Sequence, residues 1–450
     1  QQLVLQPALF QAKVSDHATW IYQLKGEVDL AQLVKQVTAT IQSVVMLNVT
    51  FLLNEQQQNH YLKEQVPKIV KIDFSQHGEE KASAAAHKYI EVENGKVIDL
   101  HEDLPYTFTL IRISASQYLL TFKVHKACLD AESVQQVMAL IGLGLSKAEG
   151  EVAQFESFSS YVMRQAQRLQ SRNQSLTKSY WSRIAALPSY QLPIANNASW
   201  EESPNITIPS AHIDDLCSVF SVQPKILWMM LWQVVLYWQN GQSEYAMMVQ
   251  NDDGIQPMVL GPVTLDLSLP ADIRLDDTLD VLSARVKQAW LDHIQYISTP
   301  FYQAPPRREG IGTCFSWREG RRDLFFGDGL EVTRGQPFNN FSDPCVQLQI
   351  QSSGIGFQYQ LRSDCVAEQQ LDSWSMQLQQ VVTLLRQKQH SLNQWSVNSL
   401  VQQLAADYYQ FEPVDVFVSS AQQTRLAEDD GKKQPLWQAV FCSVARHFDV

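Results

Sequence analysis

Near the start of the chain, Leu30, Leu33, Val34, Val37, Ile41 and Val44 recur on one helical face, which predicts an amphipathic helix over residues 30–45. The run MLNVTFLL (46–53) has the composition of a strand. Two more apolar runs, YTFTLIRI (106–113) and YLLTFKVH (118–125), flank Ser114-Ala115-Ser116-Gln117 and predict a hairpin. After Asp130 the spacing of Val134, Val137, Met138 and Ile141 returns to that of a helix.

Residues 146–200 begin with helical periodicity and lose it in SYQLPIANNASWEESP (189–204), so a boundary falls near 175–200. The second half repeats the logic of the first. A long apolar helix over 225–239 stops before Gly241, and the strand YAMMVQ (245–250) follows. A helix runs from Leu279 to about Tyr296. CVQLQI (345–350) and GFQYQL (356–361) alternate in period two around Ser352-Ser353-Gly354. A helix over 367–386 carries Leu371, Trp374, Leu378, Val381, Val382 and Leu385 on one face. Helices and hairpins mixed in two similar halves predict an α/β fold of two lobes, residues 1–178 and 179–390. Over 391–436 this order fades. QQTRLAEDDGKKQP (422–435) reads as a linker, and PLWQAVFCSVARHFDV (435–450) as the start of a following unit.

Length agrees with this division: 450 residues exceed the roughly 250–300 that one core serves. The formal charge of −12 argues against bulk binding of nucleic acid or an anionic membrane, since phosphate contacts need clustered Lys and Arg. The most apolar stretch, Ile226 to Trp238, is too short to span a bilayer. QQLVLQPALF lacks the basic and apolar regions of a signal peptide, and the missing initiator Met fits a start inside a longer chain. Cys128, Cys217, Cys314, Cys345, Cys365 and Cys442 are scattered, which suits a reducing cytoplasm better than disulfides or zinc.

No glycine-rich phosphate loop, H-E-x-x-H or G-x-S-x-G occurs, and the ten histidines lack metal-ligand spacing. No bound metal or cofactor is expected. Arg307, Arg308, Arg318, Arg321 and Arg322 are diluted by Glu309, Glu319 and Asp323; they read as a solvated loop, the alternative being a contact surface for an acidic partner.

The informative segment is FKVHKACLDAESVQQV (122–137), where a His ends a strand, an Asp follows five residues later and a helix begins. It resembles the core of the condensation domains of nonribosomal peptide synthetases, which carry His-His-x-x-x-Asp-Gly between a strand and a helix. Here the matching residues are His125, Lys126, Ala127-Cys128-Leu129, Asp130 and Ala131. The likeness extends in order through residues 24–51, 180–193, 223–249, 259–279 and 345–386, and so covers roughly residues 5–390.

The resemblance implies two lobes like chloramphenicol acetyltransferase, arranged as a V around a central tunnel. Phosphopantetheine arms of carrier domains would visit that tunnel, with the motif at its middle and Ala131 on its lining. The second His of the family motif is credited with positioning or deprotonating the acceptor amine. The first His and the Asp are mainly structural, which is what the likeness implies for His125 and Asp130.

Lys126 stands where the second His would be. Histidine has an unperturbed pKa of about 6.5 and suits a general base near neutrality, whereas lysine, at about 10.4, is a cation without a lone pair. Ala131 replaces the motif glycine and adds a Cβ. Ser43-Val44-Val45-Met46-Leu47-Asn48-Val49 stands where the family usually has Arg-His-Glu-x-Leu-Arg-Thr, so polar residues are missing there too.

Three readings follow. One is a platform without condensation activity that recruits a tailoring oxygenase to a carrier-bound amino acid. X domains of glycopeptide synthetases and interface domains of siderophore synthetases are examples of that kind. Another is an active, noncanonical condensation domain that forms an amide or ester by positioning alone. The last is a structural spacer within the megasynthase. The residues of any partner surface, the product and the oligomeric state are not specified by the sequence.

Overall fold

The computed structural model describes residues 16–53, 58–62, 67, 69–100, 102–146, 155–170, 174–192, 194, 201–251, 259–263, 265–297, 312–318, 326, 330–334, 338–339, 345–353, 356–388 and 395–410. The arginine cluster at 307–322 (apart from the backbone of Arg318), the linker 422–435 and the terminal segment 435–450 lie outside these residues.

The first half opens with β1 (His17–Gly26) and α1 (Leu30–Ser43). Asp29 caps α1, its carboxylate accepting from the N–H groups of Ala31 and Gln32 at 3.0 Å each. A short 3₁₀ turn over Val45–Leu47 ends the helix, so β2 (Val49–Leu53) starts three residues later than the apolar run predicts. The Asn48 amide causes this break, since its Nδ2 donates to the carbonyls of Ile41 (2.7 Å) and Val44 (3.0 Å) at the helix end. Asn48→Ala is expected to cost about 1 kcal/mol or slightly more, visible as a lower urea midpoint. An unchanged midpoint would show that these carbonyls need no side-chain donor.

Next come β3 (Gln58–Leu62), β4 (Ile69–Asp73), α2 (Glu79–Asn94), β5 (Tyr106–Arg112), β6 (Gln117–His125) and α3 (Ala131–Ser146). After α4 (Phe158–Gln170) and α5 (Gln174–Ala186), the second half contains β7 (Glu201–Glu202), β8 (Ile206–Pro209), α6 (Ser210–Phe220) and α7 (Pro224–Asn240). It continues with β9 (Glu244–Asn251), β10 (Leu265–Asp272), α8 (Leu279–Ile297), β11 (Gly312–Arg318), β12 (Leu330–Arg334) and β13 (Phe338–Asn339). The last elements are β14 (Cys345–Ser353), β15 (Gly356–Ser363), α9 (Glu368–Gln387) and α10 (Val397–Gln410). The helix α10 corrects the expectation that order fades from residue 391.

Two separate mixed sheets result. The first has the order β12-β1-β6-β5-β4, and the second β10-β9-β11-β14-β15-β7. β12 belongs to the second half by sequence but pairs antiparallel with β1, Leu330 opposite Gly26 through Arg334 opposite Tyr22. Backbone contacts gather residues 1–398 into one compact unit, and a second begins at residue 399.

The first sheet is covered on both faces. Trp20, Tyr22 and Leu24 of β1 pack on one side with Leu33, Val37 and Ile41 of α1 and Val134, Val137, Met138 and Ile141 of α3. Ile21 points the other way, to Ala82, Ala86 and Ile90, a four-residue repeat along α2. His17, Thr19, Lys123 and His125 share this α2 side by strand parity.

In the second sheet, α7 is the central helix and is buried throughout from Ile226 to Tyr237. The Nε1–H of Trp232 donates to Thr313 Oγ1 at 3.1 Å. Gly241 ends the helix at φ 69°, donating its N–H to the Tyr237 carbonyl, a conformation that favours glycine. Among the described residues no single helix is long and apolar enough to cross a membrane.

Candidate functional site

The motif occupies the turn between β6 and α3. His125 is the last residue of β6, opposite His17 of β1. Its N–H donates to the Pro105 carbonyl (2.8 Å), and the Lys126 N–H donates to the Asp16 carbonyl (2.8 Å). The turn closes when Cys128 donates to the His125 carbonyl at 2.9 Å. Ala127, Cys128 and Leu129 then plug the core beside α3, and burial pushes the Cys128 thiol pKa up. The three variable positions of the motif are therefore apolar packing groups.

The His125 ring is 1% exposed and turns inward. Its Nδ1 accepts from the Ala127 N–H at 3.1 Å, which leaves the ring proton on Nε2. Burial, with smaller contributions from the charges of His17 and Lys126, lowers its pKa to about 3. With its lone pair committed to the Ala127 N–H and its charged form disfavoured by burial, the ring stays neutral within the turn.

Several neighbours on the α2 side were not foreseen. The His17 Nε2–H donates to the Asn94 carbonyl at 2.8 Å, and Thr19 Oγ1 donates to Asn94 Oδ1 at 2.9 Å. Burial lowers the His17 pKa to about 4, and the charges of Lys123 and Lys126 push in the same direction against the bond to Asn94. Lys123 is buried and donates from Nζ to the carbonyls of Glu93 (2.7 Å) and Lys96, at the C-terminal end of α2. Desolvation lowers its pKa to about 8, while the helix end offers partial negative charge to its ammonium. A lysine inside the apolar run YLLTFKVH was the available sequence signal. His17 gave none, because β1 itself lacks period-two alternation.

Asp130 performs two structural tasks. Its Oδ1 accepts from the Ser133 N–H at 2.8 Å and caps α3, and its Oδ2 accepts from the Val263 N–H at 3.0 Å. Ser133 reaches the same distant segment: its hydroxyl accepts from the Gly261 N–H (3.1 Å) and can donate to the carbonyls of Gly261 (2.9 Å) or Val259 (3.3 Å). A Cβ on Gly261 would stand 2.4 Å from the Phe158 ring, so that position accepts little more than hydrogen. Residues 259–263 are thus clasped onto the start of α3 by two side chains of the first half.

Lys126 is half-buried at the mouth of the turn, and its charge reaches both imidazoles. Ala131 opens α3 and packs half-buried against the first core. Of the segment 43–49, Val44, Met46, Leu47 and Val49 belong to that core and Asn48 is the helix-end donor. Among the described residues no group of three or more His, Cys, Asp and Glu could hold a metal ion.

The model of the condensation domain family matches residues 4–304 of this chain. No curated protein sequence matches significantly. Among solved structures, the starter condensation domain of the rhizomide synthetase RzmA superposes with a TM-score of 0.69 at 13% identity, over 88% of this chain and 96% of that one. A variant of that domain in complex with C8-CoA and Leu-SNAC gives 0.68 at 13% identity, over 88% and 94%. The first condensation domain of the calcium-dependent antibiotic synthetase, in complex with a substrate analogue, gives 0.68 at 13% identity, over 88% and 96%.

Proposed function

Because the chain belongs to the condensation domain family, we propose that it is a member that no longer forms the amide bond and instead brings a tailoring oxygenase to a carrier-bound amino acid. The observation that carries this reading is Lys126 at the position of the second motif histidine, beside a His125 whose lone pair is committed to the Ala127 N–H. An ammonium at that point repels an incoming protonated amine and has no lone pair with which to deprotonate it. The fold around the altered motif is intact. Asp130 still caps α3, and the apolar residues of the turn are buried. A fold kept while its base is absent points to use of its surface.

Carrier domains are the expected partners. One solved neighbour holds C8-CoA and Leu-SNAC, and a phosphopantetheine arm would be the equivalent visiting group here. The described cysteines are free thiols, in keeping with a cytoplasmic megasynthase. The interface would be moderate in size, roughly 1,200–2,000 Å² in total, and sensitive to salt through charge steering.

The alternative reading is a condensation domain that forms an amide or ester by positioning alone. The two are separated by incubating the domain with loaded donor and acceptor carriers, and by calorimetry against oxygenases encoded nearby. The expected result is binding without amide formation. Lys126→His alone is expected not to give full condensation activity, since Ala131 and the apolar 43–49 segment also depart from the active pattern. Turnover by the wild-type domain would establish the positioning reading, and absence of both binding and turnover would leave a spacer.

A further inference from the structure

The two paired imidazoles at the motif each have one nitrogen still to account for. Nδ1 of His17 and Nε2 of His125 are buried and have no hydrogen-bond partner among the described protein groups. The bonds they do make fix their protonation. A carbonyl only accepts, so His17 carries its proton on Nε2, facing Asn94, and presents a lone pair at Nδ1. A backbone N–H only donates, so His125 accepts at Nδ1 and presents N–H at Nε2. The residues are directly opposite in an antiparallel ladder, which places both side chains on one face with Cβ atoms about 4.5–5.5 Å apart. One acceptor and one donor therefore project from neighbouring strands into the same interior layer.

We propose that His17 and His125 together hold one small molecule that both donates and accepts hydrogen bonds, a water in the resting protein, and that His17 is thereby a positioning residue for the motif turn. Such a molecule donates to His17 Nδ1 and accepts from His125 Nε2–H, which satisfies two buried groups at once. Two neighbouring polar groups on this face are already engaged, Thr19 with Asn94 and Lys123 with the end of α2. Burial, helped by the charges of Lys123 and Lys126 at His17 and of Lys126 at His125, keeps both rings neutral, so the donor and acceptor roles do not interchange. This inference is independent of oxygenase recruitment and stands or fails separately.

The test uses the full chain labelled with ¹⁵N-histidine. At pH 7 both rings are expected as neutral Nε2–H tautomers, with the His125 Nε2–H protected from exchange. Two variants separate the roles. His17→Gln keeps a donor toward Asn94 but has no acceptor at the Nδ1 position, and His17→Asn does the reverse. Exchange of the His125 Nε2–H is expected to rise by roughly two- to tenfold in His17→Gln, the effect of losing one net hydrogen bond, and to stay near wild type in His17→Asn. Equal exchange in the two variants would overturn the proposal. If a variant fails to fold, the wild-type spectra still decide: an Nδ1–H tautomer at either ring, or titration of either near pH 6.5, defeats it.

Discussion

Between about pH 6 and 5 the protein is expected to lose stability at about 3–4 kcal/mol per pH unit, because three histidines are buried in the neutral form. Burial lowers His17 to about 4, His125 to about 3 and His293 to about 4. In the unfolded chain the same side chains take up protons near pH 6.5. Between about pH 6 and 5 the unfolded state therefore holds between two and three more protons than the folded state, and the difference shrinks as His17 and His293 begin to charge near pH 4. Stability then rises with pH, is fully present above pH 6.5 and is lost as pH falls. Each proton contributes about 1.4 kcal/mol per pH unit.

The surroundings reinforce the sign. Lys123 and Lys126 act on His17, Lys126 acts on His125, and Lys225 acts on His293. His293 sits against the Trp290 and Trp181 rings, and neither of its nitrogens has a hydrogen-bond partner among the described groups, so no hydrogen bond there rewards its protonation. Urea unfolding at a series of pH values from 7 to 5 measures the slope. His293→Phe is expected to remove about one third of it. A flat profile would show that these rings are charged, or reached by water, in the native state.

Asp130→Ala is expected to cost about 2–5 kcal/mol. Part is the lost cap of α3, about 0.5–2 kcal/mol. The rest is the lost charge-assisted bond to the Val263 N–H, about 1.5–3 kcal/mol. The second part separates this substitution from a simple capping defect, because it loosens residues 259–263 from α3. Hydrogen exchange should therefore quicken at the Val263 and Gly261 amides as well as at Ser133. Asp130→Asn keeps an acceptor for one of the two donors and should fall between. A denaturation midpoint unmoved by Asp130→Ala would mean that both amides find other acceptors.

The capping half of this result was readable in the chain, since an Asp between a strand and a helical period is a local signal. The other half links residues 133 positions apart, and no local pattern announces such a bond. The same distinction runs through the fold. Helices α3, α7 and α9 each bury one long apolar face or a whole circumference, and their periodicity predicts them closely. β1 was missed because both of its faces are covered. Every residue from His17 to Tyr22 is buried, so the alternation that marks a half-exposed strand is absent. α2 was missed because its buried face is largely built of Ala82 and Ala86, small residues that leave little hydrophobic signal. At the site, the departures Lys126 and Ala131 were visible as letters. The His17, Asn94 and Lys123 network came into view only when β1, α2 and β6 were brought together.

The pairing of β12 with β1 limits how this chain can be cut, transplanted or recombined. A fragment ending near residue 178 would carry β1 without the strand that covers its outer edge. The backbone from Tyr22 to Gly26 would then be open to pairing with another copy, a known route to aggregation. Exchange of the first lobe alone between related synthetases would also separate Leu330–Arg334 from the strand it evolved beside, and Asp130 from Val263. Because β13 also pairs with β1, and β14 and β15 complete the second sheet beside β11, a workable breakpoint for engineering lies beyond Ser363, which makes the two halves one transferable cassette despite their separate sheets.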